Sequence, residues 1–225
     1  ISLVGYVDSL EIDGGHAYLT THASLSDALQ VVNLDDPEGL TLTGMVTLTS
    51  RANRVRLLGS YAYVATVNAG LETIDISNPH QPVVLGSVDT SSLVAELDLV
   101  EDALDIAFTG AFALVVAGKS GLQVVDISDP VRPALSRSFI GPQSPTALAV
   151  SGDYAYMTDW EYGLQVIDVS TPEDPTLVGG LEIPGNARGI AVSGNYAYIA
   201  QGGSELLVVE TSAPAQPIIV SGIDL

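Results

Sequence analysis

The segment Tyr154–Pro172 reads YAYMTDWEYGLQVIDVSTP, and its pattern decides the fold. Two short runs of apolar and β-branched residues flank a polar tip, and an Asp-x-Ser-x-Pro ending follows them. The same frame begins again at His16, Tyr61, Phe112 and Tyr196. A pattern that recurs at this length identifies the chain as a repeat protein.

The period of the repeat favours propeller blades over helical repeats. The residues that open the frame are spaced by 45, 51, 42 and 42 positions, and periods of about 40–45 residues are typical of propellers and of HEAT or armadillo helices. Short β-branched runs such as Leu164–Val169, broken by Gly, Asn and Pro, indicate strands. We therefore predict an all-β fold, a β-propeller of five four-stranded repeats.

The last repeat shows how each blade divides into strands. Its four strands are predicted at 187–193, 196–201, 206–211 and 217–223, separated by turns rich in Gly, Asn, Ser and Pro. Residues 1–225 are predicted to form a single propeller domain, either complete or cut from a longer chain.

Outer-strand sequences occur six times, whereas the other strand types occur five times. Either 1–7 or 217–223 is thus surplus in a simple five-bladed ring. The surplus strand is predicted to add to a blade edge, to be donated to a neighbouring subunit, or to mark a segment of a longer propeller.

Composition limits the partners and the location. A net charge of −20 with Lys119 as the only lysine argues against nucleic acid and anionic lipid. The chain has no cysteine, and its apolar residues lie in runs too short for membrane insertion. An acidic, lysine-poor surface is common in extracellular or high-salt settings, and we predict an extracellular or cell-surface location.

The phrases GLQVVDISDPVRP, GLQVIDVSTPEDPTLVGG and NARGIAVSGNYAYIA resemble the LVIVD-repeat family of bacterial and archaeal proteins. The resemblance covers nearly the whole chain and implies a β-propeller, commonly in exported or surface proteins, with no general catalytic set. His16 and Asn33 in the first repeat, and the long insertion in the third, depart from the family pattern.

One face of the propeller is predicted to collect the candidate ligand-binding residues, because loops that join second to third strands share a face with loops between blades. The predicted ligand-binding residues are Trp160, Tyr162, Arg188, Lys119, Arg51 and His22. Aromatic rings there would stack on a sugar or a partner side chain, and the cations would attract an anion. The alternative is that these are scattered exposed loop residues.

The innermost strands offer a competing, structural role for two arginines. Aligned on the aromatic anchor, Glu11 stands beside Arg56 and Arg54 beside Asp105, which predicts ion pairs between neighbouring blades. Arg54 would then be unavailable to a ligand.

The recurring acidic residues have a structural interpretation, turn formation, and a functional one, calcium binding. Asp75, Asp126 and Asp168 recur at the end of third strands and are predicted to build turns. Calcium binding is the alternative, with the turn of Asp35, Asp36 and Glu38 as the first candidate, although this turn lacks EF-hand spacing. No other cofactor or metal is predicted.

The insertion 90–105 carries Glu96, Asp98, Glu101 and Asp102, which a glycoside hydrolase would use as acid and base. No metalloprotease, nucleophile-elbow or phosphate-loop motif is present, and no catalytic residue is predicted. We therefore predict a non-catalytic module for protein interaction or structural assembly, acting through a protein partner or self-assembly and using terminal strand exchange. The alternatives are a carbohydrate or anionic-ligand binder and a propeller glycoside hydrolase.

Overall fold

Five four-stranded antiparallel sheets make up the protein, and the strands of each sheet follow one another in the chain. The computed structural model describes residues 3, 5–23, 26–67, 70–90, 103–139, 141, 144–183, 186–203 and 205–224. Each sheet is one blade, and the five-bladed β-propeller predicted from the repeats is confirmed.

The first blade comprises β1 (Tyr6–Asp13), β2 (His16–Ala23), β3 (Ser26–Asn33) and β4 (Thr41–Thr47). The second comprises β5 (Ala52–Leu58), β6 (Tyr61–Thr66), β7 (Gly70–Asp75) and β8 (Val83–Val88). The third comprises β9 (Ala103–Thr109), β10 (Phe112–Ala117), β11 (Leu122–Asp126) and β12 (Ala134–Phe139). The fourth comprises β13 (Pro145–Ser151), β14 (Tyr154–Asp159), β15 (Gly163–Asp168) and β16 (Thr176–Leu181). The fifth comprises β17 (Ala187–Ser193), β18 (Tyr196–Gln201), β19 (Glu205–Glu210) and β20 (Ile218–Asp224).

The strand bounds predicted for the last repeat are confirmed to within one residue. The segments 1–7 and 217–223 are the two candidates for a surplus outer strand. The segment 217–223 is not surplus, because β20 completes the fifth blade by pairing with β19. In the segment 1–7, Tyr6 and Val7 belong to β1, which pairs with β2, and residues 1, 2 and 4 lie outside the described residues.

The chain divides into two compact units. One contains residues 1–106 and 126–135, and the other contains residues 107–125 and 136–225. In the first unit, Tyr18, Leu29 and Val31 of the first blade pack against Val55 and Val64 of the second. In the second unit, the equivalent side chains of the fourth blade pack against Ile199, Leu207 and Val209 of the fifth. Apolar side chains buried between neighbouring sheets thus form the core of each unit.

Among the described residues, no helix is long and apolar enough to cross a membrane.

Candidate functional site

The loop between β14 and β15 presents two aromatic side chains, and Asp159 fixes its shape. The fully buried Asp159 carboxylate accepts hydrogen bonds from the backbone N–H groups of Glu161 (2.8 Å) and Tyr162 (2.9 Å) through Oδ1. Its Oδ2 accepts from the backbone N–H of Ser144 (2.9 Å). Because these bonds hold the loop tip, Trp160 and Tyr162 stand about half exposed on a preorganised turn.

Arg188 reaches this loop from β17 of the next blade. Its guanidinium carbon lies 5.7 Å from the centre of the Trp160 ring, which is within the range of a cation–π interaction. The side chain passes over Gly202, where a Cβ would lie 2.9 Å from the arginine Nε. The structure therefore brings Arg188 to Trp160, and Tyr162 stands on the same loop as Trp160. We call these three predicted site residues the aromatic platform.

Arg188 differs from the other arginines in its partner. Arg51, Arg54, Arg56, Arg132 and Arg137 each lie within 4.0 Å of a carboxylate. Among the described residues, Arg188 has no such ion pair. A guanidinium that stacks on one indole keeps its N–H edge available for a carboxylate.

His22 and Arg51 lie in the first unit, where Asp8 holds both of them. The His22 Nδ1 lies 2.5 Å from Asp8 Oδ2, and the Arg51 guanidinium donates to Asp8 Oδ1 at 2.8 Å. Tyr6 stacks on the imidazole with ring centroids 5.5 Å apart. His22 lies in β2 and not on a loop as predicted, and both side chains have an internal carboxylate partner.

Lys119 lies in the second unit, in the 3₁₀ turn Gly118–Ser120 that follows β10. It is exposed and makes a contact of its own. Nothing in the geometry above joins Lys119 to the aromatic platform.

Sequence reasoning missed Asp8 because it overlooked a column of bulge residues. The first strand shifts register by one residue in the first, second, fourth and fifth blades, and the extra residues are Asp8, Asn53, Thr146 and Arg188. Asn53 donates to the Ala103 carbonyl (2.9 Å) and Thr146 to the Ala187 carbonyl (2.8 Å), each at the start of the next blade. Bulges re-aim side chains. The sequence does contain a sign of these bulges. A polar residue directly precedes each of the aligned first-strand residues Ser9, Arg54, Ala147 and Gly189.

The ion pairs predicted for the first strands are confirmed. Arg54 Nε lies 2.9 Å from Asp105 Oδ1, and Arg56 pairs with Glu11 while donating to the Ile106 carbonyl (3.2 Å). Arg54 is thus engaged by a buried carboxylate, as predicted.

The turn-building role of the recurring aspartates is also confirmed. The Oδ1 atoms of Asp75, Asp126 and Asp168 accept the backbone N–H of the serine two residues later at 2.8–2.9 Å. Hydrogen bonds from the serine hydroxyl, and then from its backbone N–H, lower the pKa of each carboxyl from its usual value.

The acidic turn proposed for calcium uses its carboxylates in the same way. Asp36 Oδ1 accepts from the backbone N–H of Glu38 (3.1 Å), and Asp35 Oδ2 accepts from the Asn33 amide (3.2 Å). Within the described residues no cluster of three or more His, Asp or Glu side chains is arranged for a metal ion. The acids of the insertion, Glu96, Asp98, Glu101 and Asp102, lie outside the described residues.

Glu72 is an unusual buried acid in the second blade. Its Oε1 accepts from the backbone N–H (3.0 Å) and hydroxyl (2.5 Å) of Thr49, but its buried Oε2 has no hydrogen-bond partner among the described residues. The equivalent residues Gln30, Gln123 and Gln165 each donate an amide hydrogen bond instead.

An open pocket of about 410 Å³ lies on the outer strands of the fifth blade. Its lining comprises Gln201, Glu205, Leu207, Ile219, Val220, Ser221 and Gly222. None of the predicted site residues lines it.

Comparison with known proteins identifies the repeat. The family model described as LVIVD repeat matches four segments, residues 50–90, 101–140, 145–182 and 184–224. No curated protein matches the sequence at a significant level.

Solved structures show the same fold at low sequence identity. A protein from Lactobacillus plantarum has a TM-score of 0.82 at 15% identity, over 99% of this chain and 73% of that one. The β-propeller domain of Myceliophteria thermophila Cps50 (Swd1) has a TM-score of 0.75 at 16% identity, over 97% of this chain and 72% of that one. The computationally designed Ika8 protein has a TM-score of 0.73 at 15% identity, over 97% of this chain and 61% of that one. The chain is thus shorter than each of these structures, and the likeness concerns the fold.

Proposed function

Since the chain belongs to the LVIVD repeat family and folds as a five-bladed β-propeller, we propose that it is a non-catalytic interaction module of the cell surface or extracellular space. The observation that carries the proposal is the aromatic platform, where an exposed tryptophan and an exposed tyrosine stand on a hydrogen-bonded loop and an arginine of the next blade, with no ion pair in the described part of the chain, lies over the tryptophan. Tryptophan, tyrosine and arginine are the residues most enriched at binding hot spots.

The platform is built for binding rather than for acid–base chemistry. The Asp159 carboxylate is occupied by three backbone N–H groups, so its role is to hold the loop. The Arg188 N–H edge fits a carboxylate in bidentate geometry, and the aromatic faces fit a planar or apolar side chain. The partner we propose is therefore a polypeptide segment that combines an acidic residue with an aromatic or apolar one.

The extracellular location in this proposal is supported by composition. The surface is acidic, almost without lysine and independent of thiols. Fusing the chain's own gene to an epitope tag and comparing labelling of intact and permeabilised cells tests it, and labelling only after permeabilisation would contradict it.

A second candidate is an acidic carbohydrate bound at the same platform. The exposed Trp160 ring beside a guanidinium favours it, because sugar rings stack on indole and a sugar carboxylate or sulfate pairs with arginine.

Intrinsic fluorescence separates the two candidates, because Trp160 is the only tryptophan in the chain. Acidic peptides with aromatic residues and acidic oligosaccharides would be titrated separately against the wild type and Arg188→Ala. We expect peptides to change the emission and Arg188→Ala to weaken binding at least about tenfold, as for a hot-spot residue.

Arg132→Ala is the matched control, since it removes an exposed arginine from another blade. Emission that responds only to oligosaccharides would select the second candidate. Peptide binding that is equal in the wild type and Arg188→Ala would contradict the platform as the site.

A further inference from the structure

Two exposed carboxylates flank the aromatic platform, and the first belongs to Glu161. This residue stands between Trp160 and Tyr162 in the loop that joins β14 to β15. Its backbone N–H donates to Asp159 Oδ1 at 2.8 Å, while its side chain is exposed. The hydrogen bonds that shape the loop therefore also set the position of an acidic residue between the two aromatic ones.

The second carboxylate belongs to Glu182, which directly follows β16. Gly163 comes directly after Tyr162, and a Cβ at this glycine would lie 2.4 Å from the Leu181 carbonyl oxygen and 2.5 Å from the Ile183 nitrogen. The glycine permits this close approach at a φ of +72°. The exposed Glu182, between the two residues that Gly163 approaches, therefore lies beside the platform loop.

Two hydrogen bonds fix the backbone directly before Arg188. The Ala187 carbonyl accepts from the Thr146 hydroxyl at 2.8 Å, and the Asn186 carbonyl accepts from the Gly202 N–H at 2.8 Å. The strand that carries the cation is thus tied to the fourth blade and to its own neighbour in the fifth. A ligand therefore meets an arrangement of charges that is largely set before binding.

These three charges have no ion pair within the described part of the chain. Neither Glu161 nor Glu182 has a Lys, Arg or His nitrogen within 4.0 Å there, and the Arg188 guanidinium has no carboxylate within that distance. The platform therefore offers one group that pairs with an anion and, beside it, two groups that pair with cations.

On the basis of the proposed function, we propose that the polypeptide segment bound by the aromatic platform is positively charged overall. One carboxylate of the segment engages Arg188, and lysine or arginine residues on either side of that carboxylate face Glu161 and Glu182. A segment with acidic residues alone satisfies Arg188 but places like charges opposite the two glutamates, which lowers affinity. The two glutamates are thus the residues that select the charge of the partner.

The charge of the whole chain acts in the same direction. A net charge of −20 attracts positively charged partners and repels anionic ones, and such steering changes association rates by about 10- to 1,000-fold. At physiological salt the Debye length is about 8 Å, so distant charges are screened and the glutamates beside the platform contribute most. Salt concentration therefore separates the effect of the whole chain from that of Glu161 and Glu182.

Stopped-flow fluorescence of Trp160, the only tryptophan in the chain, tests the proposal with peptides that lack tryptophan. Three peptides share a centre of one glutamate beside one phenylalanine and differ only in their flanking residues, which are lysine, glutamine or aspartate. At low salt the lysine-flanked peptide is expected to associate at least about tenfold faster than the aspartate-flanked one. The difference in rate is expected to shrink as salt is added.

A double variant, Glu161→Gln with Glu182→Gln, tests the local part of the proposal at physiological salt. It is expected to bind the lysine-flanked peptide at least about threefold more weakly than the wild type does, because two exposed ion pairs are lost. Binding of the glutamine-flanked peptide is expected to change much less. Glu173→Gln is the matched control, since it removes an exposed carboxylate from the turn at the opposite end of the same blade.

Circular dichroism of each variant verifies that it folds. If the aspartate-flanked peptide associates as fast and binds as tightly as the lysine-flanked one, and Arg188→Ala weakens both, the partner's charge is wrong while the proposed function stands. Equal binding of the lysine-flanked peptide by the wild type and the double variant overturns the role of the two glutamates. If no peptide changes the emission, or Arg188→Ala leaves peptide binding unchanged, the proposed function fails and this inference fails with it.

Discussion

The ion pair between Arg54 and Asp105 makes a quantitative prediction about stability. Arg54→Met removes the guanidinium and keeps an unbranched apolar stem of similar length, so the loss reports the charge more than the packing. The Asp105 side chain is 3% exposed and lies 2.9 Å from Arg54 Nε. The substitution therefore leaves a buried carboxylate without its nearest cation.

The size of the effect follows from burial. Losing one partner of a buried pair costs about 3–5 kcal/mol, and an exposed pair contributes about 0–1 kcal/mol. Arg54 is 38% exposed, and Arg56 Nη2 remains 3.8 Å from Asp105 Oδ1, so solvent and the second arginine recover part of the loss. We expect Arg54→Met to lower the free energy of unfolding by about 2 kcal/mol.

Urea titration of the wild type and of Arg54→Met measures this change. The control is Arg132→Met, because Arg132 and Asp129 lie at nearly the same distance, 3.0 Å, but are 85% and 45% exposed. We expect it to lose far less than Arg54→Met, because this pair is exposed to solvent. We expect Asp105→Asn to cost about 1 kcal/mol less stability in the Arg54→Met variant than in the wild type, because the two side chains interact. Equal losses in Arg54→Met and Arg132→Met would refute the reasoning.

Two further predictions concern the acids. Glu72→Gln is expected to raise the free energy of unfolding by about 1 kcal/mol, because the buried Oε2 finds no hydrogen-bond partner within the described segments and glutamine occupies this position in three other blades. A lower urea midpoint for this variant would contradict it. Asp75, Asp126 and Asp168 have lowered pKa values in the folded protein, so their contribution to stability is present above about pH 4 and is lost as the pH falls through those lowered values. A triple Asp→Asn variant should therefore lose less stability between neutral and acidic pH than the wild type. If the free energy of unfolding fell by the same amount in both proteins, the three aspartates would not be the source of this pH dependence.

The repeat made the blades predictable from sequence, since the same frame returns with turn residues at fixed offsets. The first-strand ion pairs were predictable for a related reason. Aligning the repeats placed Arg54 beside Asp105 and Glu11 beside Arg56, and opposite charges in adjacent blades have to meet if both are to be buried.

The aromatic platform was predicted only as a set of residues on one face. That Arg188 stacks on Trp160 depends on the bulge that aims Arg188, and on the three hydrogen bonds by which Asp159 shapes the loop. Sequence reasoning also placed Arg51 and His22 in this set, but it did not predict that Asp8 holds both of them. Such choices among polar partners depend on side-chain directions, which the period of the repeat does not encode.

The sequential order of strands within each blade has a consequence for how the chain folds. Every sheet closes with residues from one continuous segment, so the pairing of the first blade is complete once Thr47 is available. Contacts within a blade join residues close in sequence, and those between blades join consecutive segments, which favours folding in steps that follow synthesis. Each completed blade then exposes apolar side chains, such as Tyr156, Leu164 and Val166 of the fourth blade, against which the next blade packs. The blades are therefore synthesised in the order in which they pack.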